Sequence, residues 1–156
     1  MLNKIVSGGQ TGVDRAALDA AQSRDIDVDG WCPNGRRAED GSIPERYPLR
    51  ETPTEDYGQR TTWNVRDSDG TLIISDDRPL HGGTARTVEE ARTQNKPLLH
   101  VRTTDPVPVE MIRAWREDNN VRILNVAGPR ASEAEGIYER ALDILGRFLD
   151  AELQEA

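Results

Sequence analysis

Residues 5–21 read IVSGGQTGVDRAALDAA, and this stretch decides the fold of the chain. An apolar pair runs into a turn with three glycines, and an alanine-rich stretch with helical spacing follows. This order predicts a strand, a glycine-rich turn and a helix. In such a turn, backbone N–H groups and the positive end of the helix dipole converge on one point. The turn therefore predicts a site for an anion, above all a phosphate.

A second turn of the same kind lies in the middle of the chain. Residues 81–84 read HGGT; they follow the apolar run 71–75 and precede the helix-like stretch 87–91. We predict that the two turns leave neighbouring strands and hold one phosphate between them. For each turn taken alone, the structural alternative is a plain helix cap without a ligand. The two turns supply these ligand-binding candidates: Gly8, Gly9, Gln10, Thr11, Gly12, Arg15, Gly82, Gly83, Thr84 and Thr87.

The first turn matches neither of the common phosphate-binding patterns. The spacing of Gly8, Gly9 and Gly12 is not G-x-G-x-x-G, and no Gly-Lys-Ser/Thr sequence follows it. The physical argument does not depend on those patterns, because glycines let a ligand approach the backbone closely. Thr11 adds a hydroxyl donor, and Arg15 adds a cation that suits an anion.

Strand-like and helix-like stretches alternate along the rest of the chain. Short apolar runs bounded by polar residues predict strands at 4–7, 27–31, 70–75, 98–102 and 122–126. Apolar residues at helical spacing predict helices at 14–24, 57–65, 84–95, 108–119 and 132–152. This alternation predicts an α/β fold with a doubly wound, mainly parallel sheet of about five strands.

Composition excludes several classes of function. The chain has 156 residues, which suits a single domain over 1–156, and a formal net charge of −8. That charge argues against nucleic acid or an anionic membrane as a partner, because both need a basic surface. No apolar run approaches the roughly 20 residues that span a bilayer. Cys32 is the only cysteine and no signal-peptide pattern is present, so we expect a cytoplasmic protein.

Residues 32–56 interrupt the alternation of strands and helices. They are rich in proline, glycine and charge, and they follow the carboxyl end of a predicted strand. Ligands of open α/β sheets bind at that edge, so we predict that this loop walls or covers the site. The alternative is a flexible surface insertion. Arg36 in the loop and Arg60 in the helix at 57–65 are the further candidates for binding an anionic ligand.

Catalytic and metal-binding signals are weak. The two histidines, His81 and His100, stand alone, so no metal-ligand cluster is predicted. Cys32 has no base at the spacing of a known nucleophile motif. Glu89 and Asp69 are the acid or base candidates, although neither has a fixed partner in the sequence.

Several of these stretches together resemble the molybdenum carrier family. The resemblance rests on residues 8–17, on 32–36 with 38–41 and 43–44, on 59–61 with 64–65, on 68–71 and on 82–84, and it runs through 96–97 to 125–129. It implies a Rossmann-like, three-layer α/β/α fold of the SLOG type. It also implies kinship with molybdenum cofactor carrier proteins, which bind a phosphorylated pterin (molybdopterin) and form homo-oligomers, dimers or tetramers.

A more distant resemblance leaves other functions open. The second turn is similar to the P-G-G-x-G-T-x-x-E motif of lysine-decarboxylase-like phosphoribohydrolases, where Gly82, Gly83 and Glu89 match. His81, Ala85 and Arg86 depart from that motif. The first hypothesis is therefore a carrier of a nucleotide-like or pterin-like phosphorylated molecule. The alternatives are a nucleotide N-glycosidic hydrolase using Glu89 or Asp69, and a nucleotide sensor of the SLOG type.

Overall fold

The computed structural model describes residues 1–155, which form nine strands and five helices. In chain order the elements are β1 (Lys4–Val6), α1 (Val13–Gln22), β2 (Asp27–Asp29), β3 (Trp31–Cys32), β4 (Arg37–Ala38), β5 (Gly41–Ser42), β6 (Arg50–Glu51), α2 (Tyr57–Arg66), β7 (Gly70–Ser75), α3 (Gly82–Thr93), β8 (Leu98–Arg102), α4 (Pro108–Asp118), β9 (Ile123–Ala127) and α5 (Ile137–Gln154).

Five of the strands form one parallel sheet, in the order β2-β1-β9-β7-β8. The predicted doubly wound, parallel sheet is thereby confirmed. The strands that carry the two glycine turns are not neighbours, however, because β9 lies between β1 and β7. If β9 is numbered 1 and β1, β2, β7 and β8 are numbered 2, 3, 4 and 5, the order across the sheet reads 3-2-1-4-5. This is the strand order of a Rossmann sheet. The last strand of the chain thus occupies the centre of the sheet.

Helices cover both faces of this sheet and complete three layers. Helices α1, α4 and α5 pack together on one face, and α2 packs against α3 on the other. The main core lies under α1 and α5, where small alanines of α1 allow close packing against larger side chains such as Leu145 and Phe148. Helix α5 begins at Ile137 rather than at the predicted 132, because Gly136 has a left-handed backbone (φ 72°) that interrupts the helix.

The loop at 32–56 is ordered rather than a flexible insertion. It contains a β4–β5 hairpin and a short β3–β6 pair, and it has a small apolar cluster of its own. Cys32, Ile43, Tyr47 and Leu49 form this cluster together with Leu18 of α1.

Within residues 1–155, no helix has both the length and the apolar character that a bilayer crossing requires.

Candidate functional site

A cleft opens at the carboxyl edge of the sheet, where β1, β9 and β7 end. Strand order reverses at this point: β1 continues through α1 to one side, and β7 continues through α3 to the other. Open α/β sheets bind ligands at such a reversal. The free space is about 70 Å³, enough for a small group such as a phosphate but less than a drug-sized ligand fills. Six predicted site residues line it: Gly8, Gln10, Arg60, Gly83, Thr84 and Thr87.

The second glycine turn presents helix α3 to the cleft. No side chain caps this helix, so its first N–H groups have no partner from a cap or from the helix itself. A Cβ atom added at Gly83 would meet no heavy atom within 4 Å, which shows open space in front of the turn. The Thr87 hydroxyl donates to the Gly83 carbonyl at 3.0 Å. Gly82 begins the helix with φ 55° but does not line the cleft.

The first glycine turn uses its backbone donors inside the protein. The Gly9 N–H donates to the Ser7 hydroxyl at 3.3 Å, and the Thr11 N–H donates to the Gln10 side chain at 3.1 Å. The Gln10 N–H donates to the Asp14 carboxylate at 3.2 Å. A carboxylate of the chain therefore lies where the sequence predicts a phosphate. Gly8 and Gln10 form one wall of the cleft, and the rest of the turn faces away from it.

Arg60 and Asp14 form an ion pair in the cleft. The two side chains are 13% and 6% exposed, and Nη1 of Arg60 lies 3.3 Å from the carboxylate of Asp14. Burial raises the pKa of Asp14, although the Arg60 charge opposes this effect. The Nε of Arg60 is buried without a hydrogen-bond partner, and the guanidinium lies directly against Gly8. The pair thus leaves one cationic donor group unsatisfied within the cleft.

Ten further residues line the cleft outside the predicted set. The end of β9 and the segment after it contribute six of them; the sequence signal there is a strand that leads into a helix, which suits either a further anion contact or a plain Gly-Pro turn. Asn64 lies on a polar helix face that suits either the cleft or solvent, Asp14 has the position of a helix cap, and Tyr57 gives no signal. The ten residues are Asp14, Tyr57, Thr61, Asn64, Asn125, Val126, Ala127, Gly128, Arg130 and Glu133.

Two glycines of the first turn serve close packing rather than the cleft. A Cβ atom at Gly9 would lie 2.6 Å from Leu49, and a Cβ atom at Gly12 would lie 2.4 Å from the Pro129 carbonyl oxygen. Both glycines also have positive φ angles, 80° and 82°. Glycine is therefore required at both positions, but the reason is the backbone conformation and the close contact with neighbouring residues of the chain rather than contact with a ligand.

Two polar candidates of the first turn are engaged by the loop. The Thr11 hydroxyl donates to the Glu39 carboxylate. Arg15 donates to the Gly9 carbonyl at 3.0 Å and makes a two-pronged contact with Asp40. Neither residue lines the cleft, so their contacts with a ligand stay a prediction. No residue of 32–56 lines the cleft either, so the covering role of the loop stays a prediction.

Arg36 holds the loop together instead of facing the cleft. Its guanidinium donates to four backbone carbonyls of the loop, those of Ile43, Pro44, Tyr47 and Leu49, at 2.8–3.2 Å. Arg36 does not line the cleft, and its guanidinium is engaged by the loop, so the predicted ligand contact has no support in this structure.

We expect Arg36→Lys to loosen this loop without weakening anion binding. A lysine has three donors and lacks the planar fork of arginine, so it loses part of this network, at a cost of about 2 kcal/mol. Hydrogen exchange should show faster exchange of amides in residues 43–50, while the affinity for inorganic phosphate stays within twofold. A tenfold loss of phosphate affinity with unchanged exchange would restore Arg36 as a ligand contact.

The two weak catalytic candidates lie outside the cleft. Glu89 lies on the exposed side of α3, beside Leu80 and Val88. Asp69 precedes β7 at the opposite edge of the sheet, where its carboxylate accepts from the N–H groups of Arg122 and Ile123 at 3.0 and 2.8 Å. Neither carboxylate lines the cleft at the strand reversal. Within residues 1–155, no group of three or more His, Cys, Asp or Glu side chains is placed to hold a metal ion.

Comparison with known proteins agrees with this architecture. The model of the circularly permutated YpsA SLOG family matches residues 5–149. A crystal structure of a protein from Syntrophus aciditrophicus SB, named "Putative molybdenum carrier protein", is 47% identical, with a TM-score of 0.92 over 95% of each chain. No curated protein matches the chain. The resemblance to the SLOG-type molybdenum carriers is therefore confirmed, and the chain belongs to the circularly permutated YpsA SLOG family.

Proposed function

We propose that this protein carries a phosphorylated, nucleotide-like or pterin-like small molecule whose phosphate binds between Gly83 and Arg60. One observation carries the proposal. The uncapped start of α3 faces open space in the same cleft in which Arg60 has an unpartnered, buried Nε. Helix N–H groups and a guanidinium are the donors that bind phosphate best.

The charges around the cleft suit reversible binding. Arg60 is paired with Asp14, and the Nε of Arg130 lies 3.4 Å from a carboxylate oxygen of Glu133. The charge of each arginine is therefore already partly neutralised. A phosphate would share these cations instead of meeting a free positive pocket. A carrier must release its ligand, and moderate attraction serves that purpose. The space of about 70 Å³ suits the phosphate group, and the organic part would extend from the mouth of the cleft.

The name of the relative from Syntrophus suggests one candidate for the ligand. Its name describes a molybdenum carrier, so molybdenum cofactor, a pterin that carries a phosphate, is the first candidate for the cargo. Mass spectrometry of the native protein should detect a phosphorylated small molecule that co-purifies with it. Recovery of protein that consistently lacks any such molecule and binds no phosphate would contradict the proposal.

The pair Gly83→Asp and Gly83→Asn tests the position of the phosphate. Both variants have open space around their Cβ atom, because nothing lies within 4 Å of that position at Gly83. Aspartate adds a negative charge beside the proposed phosphate, which costs about 2 kcal/mol or roughly thirtyfold in affinity. Asparagine has the same shape without the charge, so we expect its effect to be within threefold. Calorimetry with inorganic phosphate and AMP measures both.

Stability separates this effect from misfolding. An acidic residue near a helix N-terminus stabilises the helix, so Gly83→Asp should unfold at the same temperature as the wild type or above it. Equal phosphate affinity in the aspartate and asparagine variants would place the anion elsewhere.

One observation favours the hydrolase alternative. Asp14 is a buried carboxylate in the cleft with a raised pKa, and such groups often transfer protons. An N-glycosidic hydrolase would therefore use Asp14 rather than Glu89 or Asp69. Incubation with nucleoside monophosphates tests this: the carrier proposal expects no free base, and release of a base that Asp14→Asn abolishes would favour the enzyme.

A further inference from the structure

The tip of the β4–β5 hairpin inserts a carboxylate between two distant parts of the chain. Glu39 accepts from the Thr11 hydroxyl on one side, and from the Ser132 N–H at 3.2 Å and the Ser132 hydroxyl on the other. The Glu39 N–H also donates to the Gln10 side chain at 2.9 Å. Next to it, Asp40 takes the two-pronged contact from Arg15.

These donors form an anion site beside the cleft. Burial works against the charge of Glu39, but the hydrogen bonds from Ser132 and Thr11 outweigh it and lower the pKa of Glu39. Thr11 is next to Gln10, and Ser132 lies between Arg130 and Glu133 along the chain; these three neighbours line the cleft. Hydroxyl and amide donors that bind a carboxylate also bind a phosphate oxygen. Glu39 itself is exposed, so an anion from solution has access to it.

We propose that Thr11 and Ser132 form a second anion subsite, which Glu39 fills in the free protein and the second phosphate of a diphosphate ligand fills on binding. This inference rests on the proposed function, in which the first phosphate binds at Gly83. It adds molecules with two linked phosphates to the single-phosphate ligands that the cleft can take. Exposed ion pairs and hydrogen bonds contribute little to the stability of a folded protein, so replacing the Glu39 carboxylate by a phosphate costs little free energy.

The exchange also explains why the first glycine turn has the sequence of a phosphate site but contacts carboxylates in the structure. Thr11 and Arg15 have the chemistry of phosphate ligands, yet Glu39 and Asp40 occupy them. When a phosphate displaces Glu39, Arg15 and Asp40 still hold the hairpin to α1. The hairpin thus stays close to the bound ligand.

Glu39→Gln tests the subsite, with Glu45→Gln as the matched control. Glu45 is an exposed carboxylate of the same loop, so both variants remove one charge from it. Calorimetry uses inorganic pyrophosphate and inorganic phosphate. We expect Glu39→Gln to bind pyrophosphate about tenfold more tightly, because the competing charge is gone, and to bind orthophosphate within twofold of wild type. Glu45→Gln should change neither affinity by more than twofold.

A second variant shows whether the gain comes from the subsite. Adding Ser132→Ala to Glu39→Gln removes the hydroxyl donor of the subsite and keeps its backbone N–H, and it should return pyrophosphate affinity to the wild-type level. Unchanged or weaker pyrophosphate binding in Glu39→Gln would overturn the subsite, and so would the absence of pyrophosphate binding in every variant. If orthophosphate binding persists and Gly83→Asp weakens it, the proposed function stands without the subsite.

Discussion

Arg60→Met should lower the free energy of unfolding by about 3–5 kcal/mol at neutral pH. The substitution leaves the Asp14 carboxylate buried without its partner, and its side chain is only 6% exposed. Methionine fills much of the volume of the arginine stem, so the loss comes from charge rather than from a cavity. Chemical denaturation at neutral pH measures the change. A loss below 1 kcal/mol would mean that Arg60 does not neutralise Asp14.

The loss should depend on pH in a defined direction. Without Arg60, the native pKa of Asp14 rises further above the unfolded value of about 3.9. The native state then binds more protons than the unfolded state, and stability falls as pH rises from the unfolded pKa to the native pKa. The difference from wild type should therefore be small near pH 4 and should grow toward neutral pH. A difference that stays constant with pH would contradict this account.

The double variant Asp14→Asn/Arg60→Met separates stability from binding. Asparagine removes the buried charge, so we expect the double variant to recover most of the stability that Arg60→Met loses. It still lacks the guanidinium, so phosphate affinity should stay at least tenfold below that of wild type. If the two substitutions destabilise additively, the pair is not coupled; if the double variant binds phosphate normally, Arg60 is not a phosphate ligand.

Gly128→Ala is expected to damage both the sheet and the cleft. Its Cβ atom would lie 2.2 Å from the Ile74 carbonyl oxygen and 2.6 Å from a methyl group of Val13. Backbone oxygen cannot yield as a side chain does, so the ends of β7 and β9 must separate. We expect a loss of about 3 kcal/mol in stability and loss of phosphate binding. Thermal unfolding and calorimetry measure the two effects.

Gly83→Ala is the matched control for this substitution. It also adds one methyl group at the cleft, but nothing lies within 4 Å of that position. We expect its stability to be within about 1 kcal/mol of wild type. Equal effects of the two substitutions would show that backbone contact at Gly128 is not what matters.

The sequence predicts the kind of fold better than the arrangement of its strands. Alternating strands and helices predict a mainly parallel sheet of about five strands, and the structure confirms that sheet. The alternation carries no information about strand order, because the sequence pattern of a βαβ unit is the same at every position in a sheet. The position of β9 between β1 and β7 therefore could not be predicted from local patterns.

For the site, the sequence identifies groups that suit a phosphate but not their partners. Gly83 and Arg60 lie in the cleft as predicted, because their elements end or pack at the strand reversal. Arg36 and Arg15 have the same chemistry, yet loop carbonyls and Asp40 occupy them. Whether an arginine faces a ligand or the protein depends on tertiary neighbours far away in sequence. Asp14 was missed for the same reason, since its partner comes from α2.

The central position of β9 has a consequence for synthesis of the protein on the ribosome. Until residues 123–127 emerge, the inner edges of β1 and β7 lack the strand that joins them. The β9 residues that line the cleft are missing as well, so a chain that ends before them lacks the proposed site. Pairing between elements so distant in sequence also slows folding. The proposed site therefore exists only in chains that have been made beyond residue 127, and the exposed edges before that moment are where a nascent chain is most prone to aggregate.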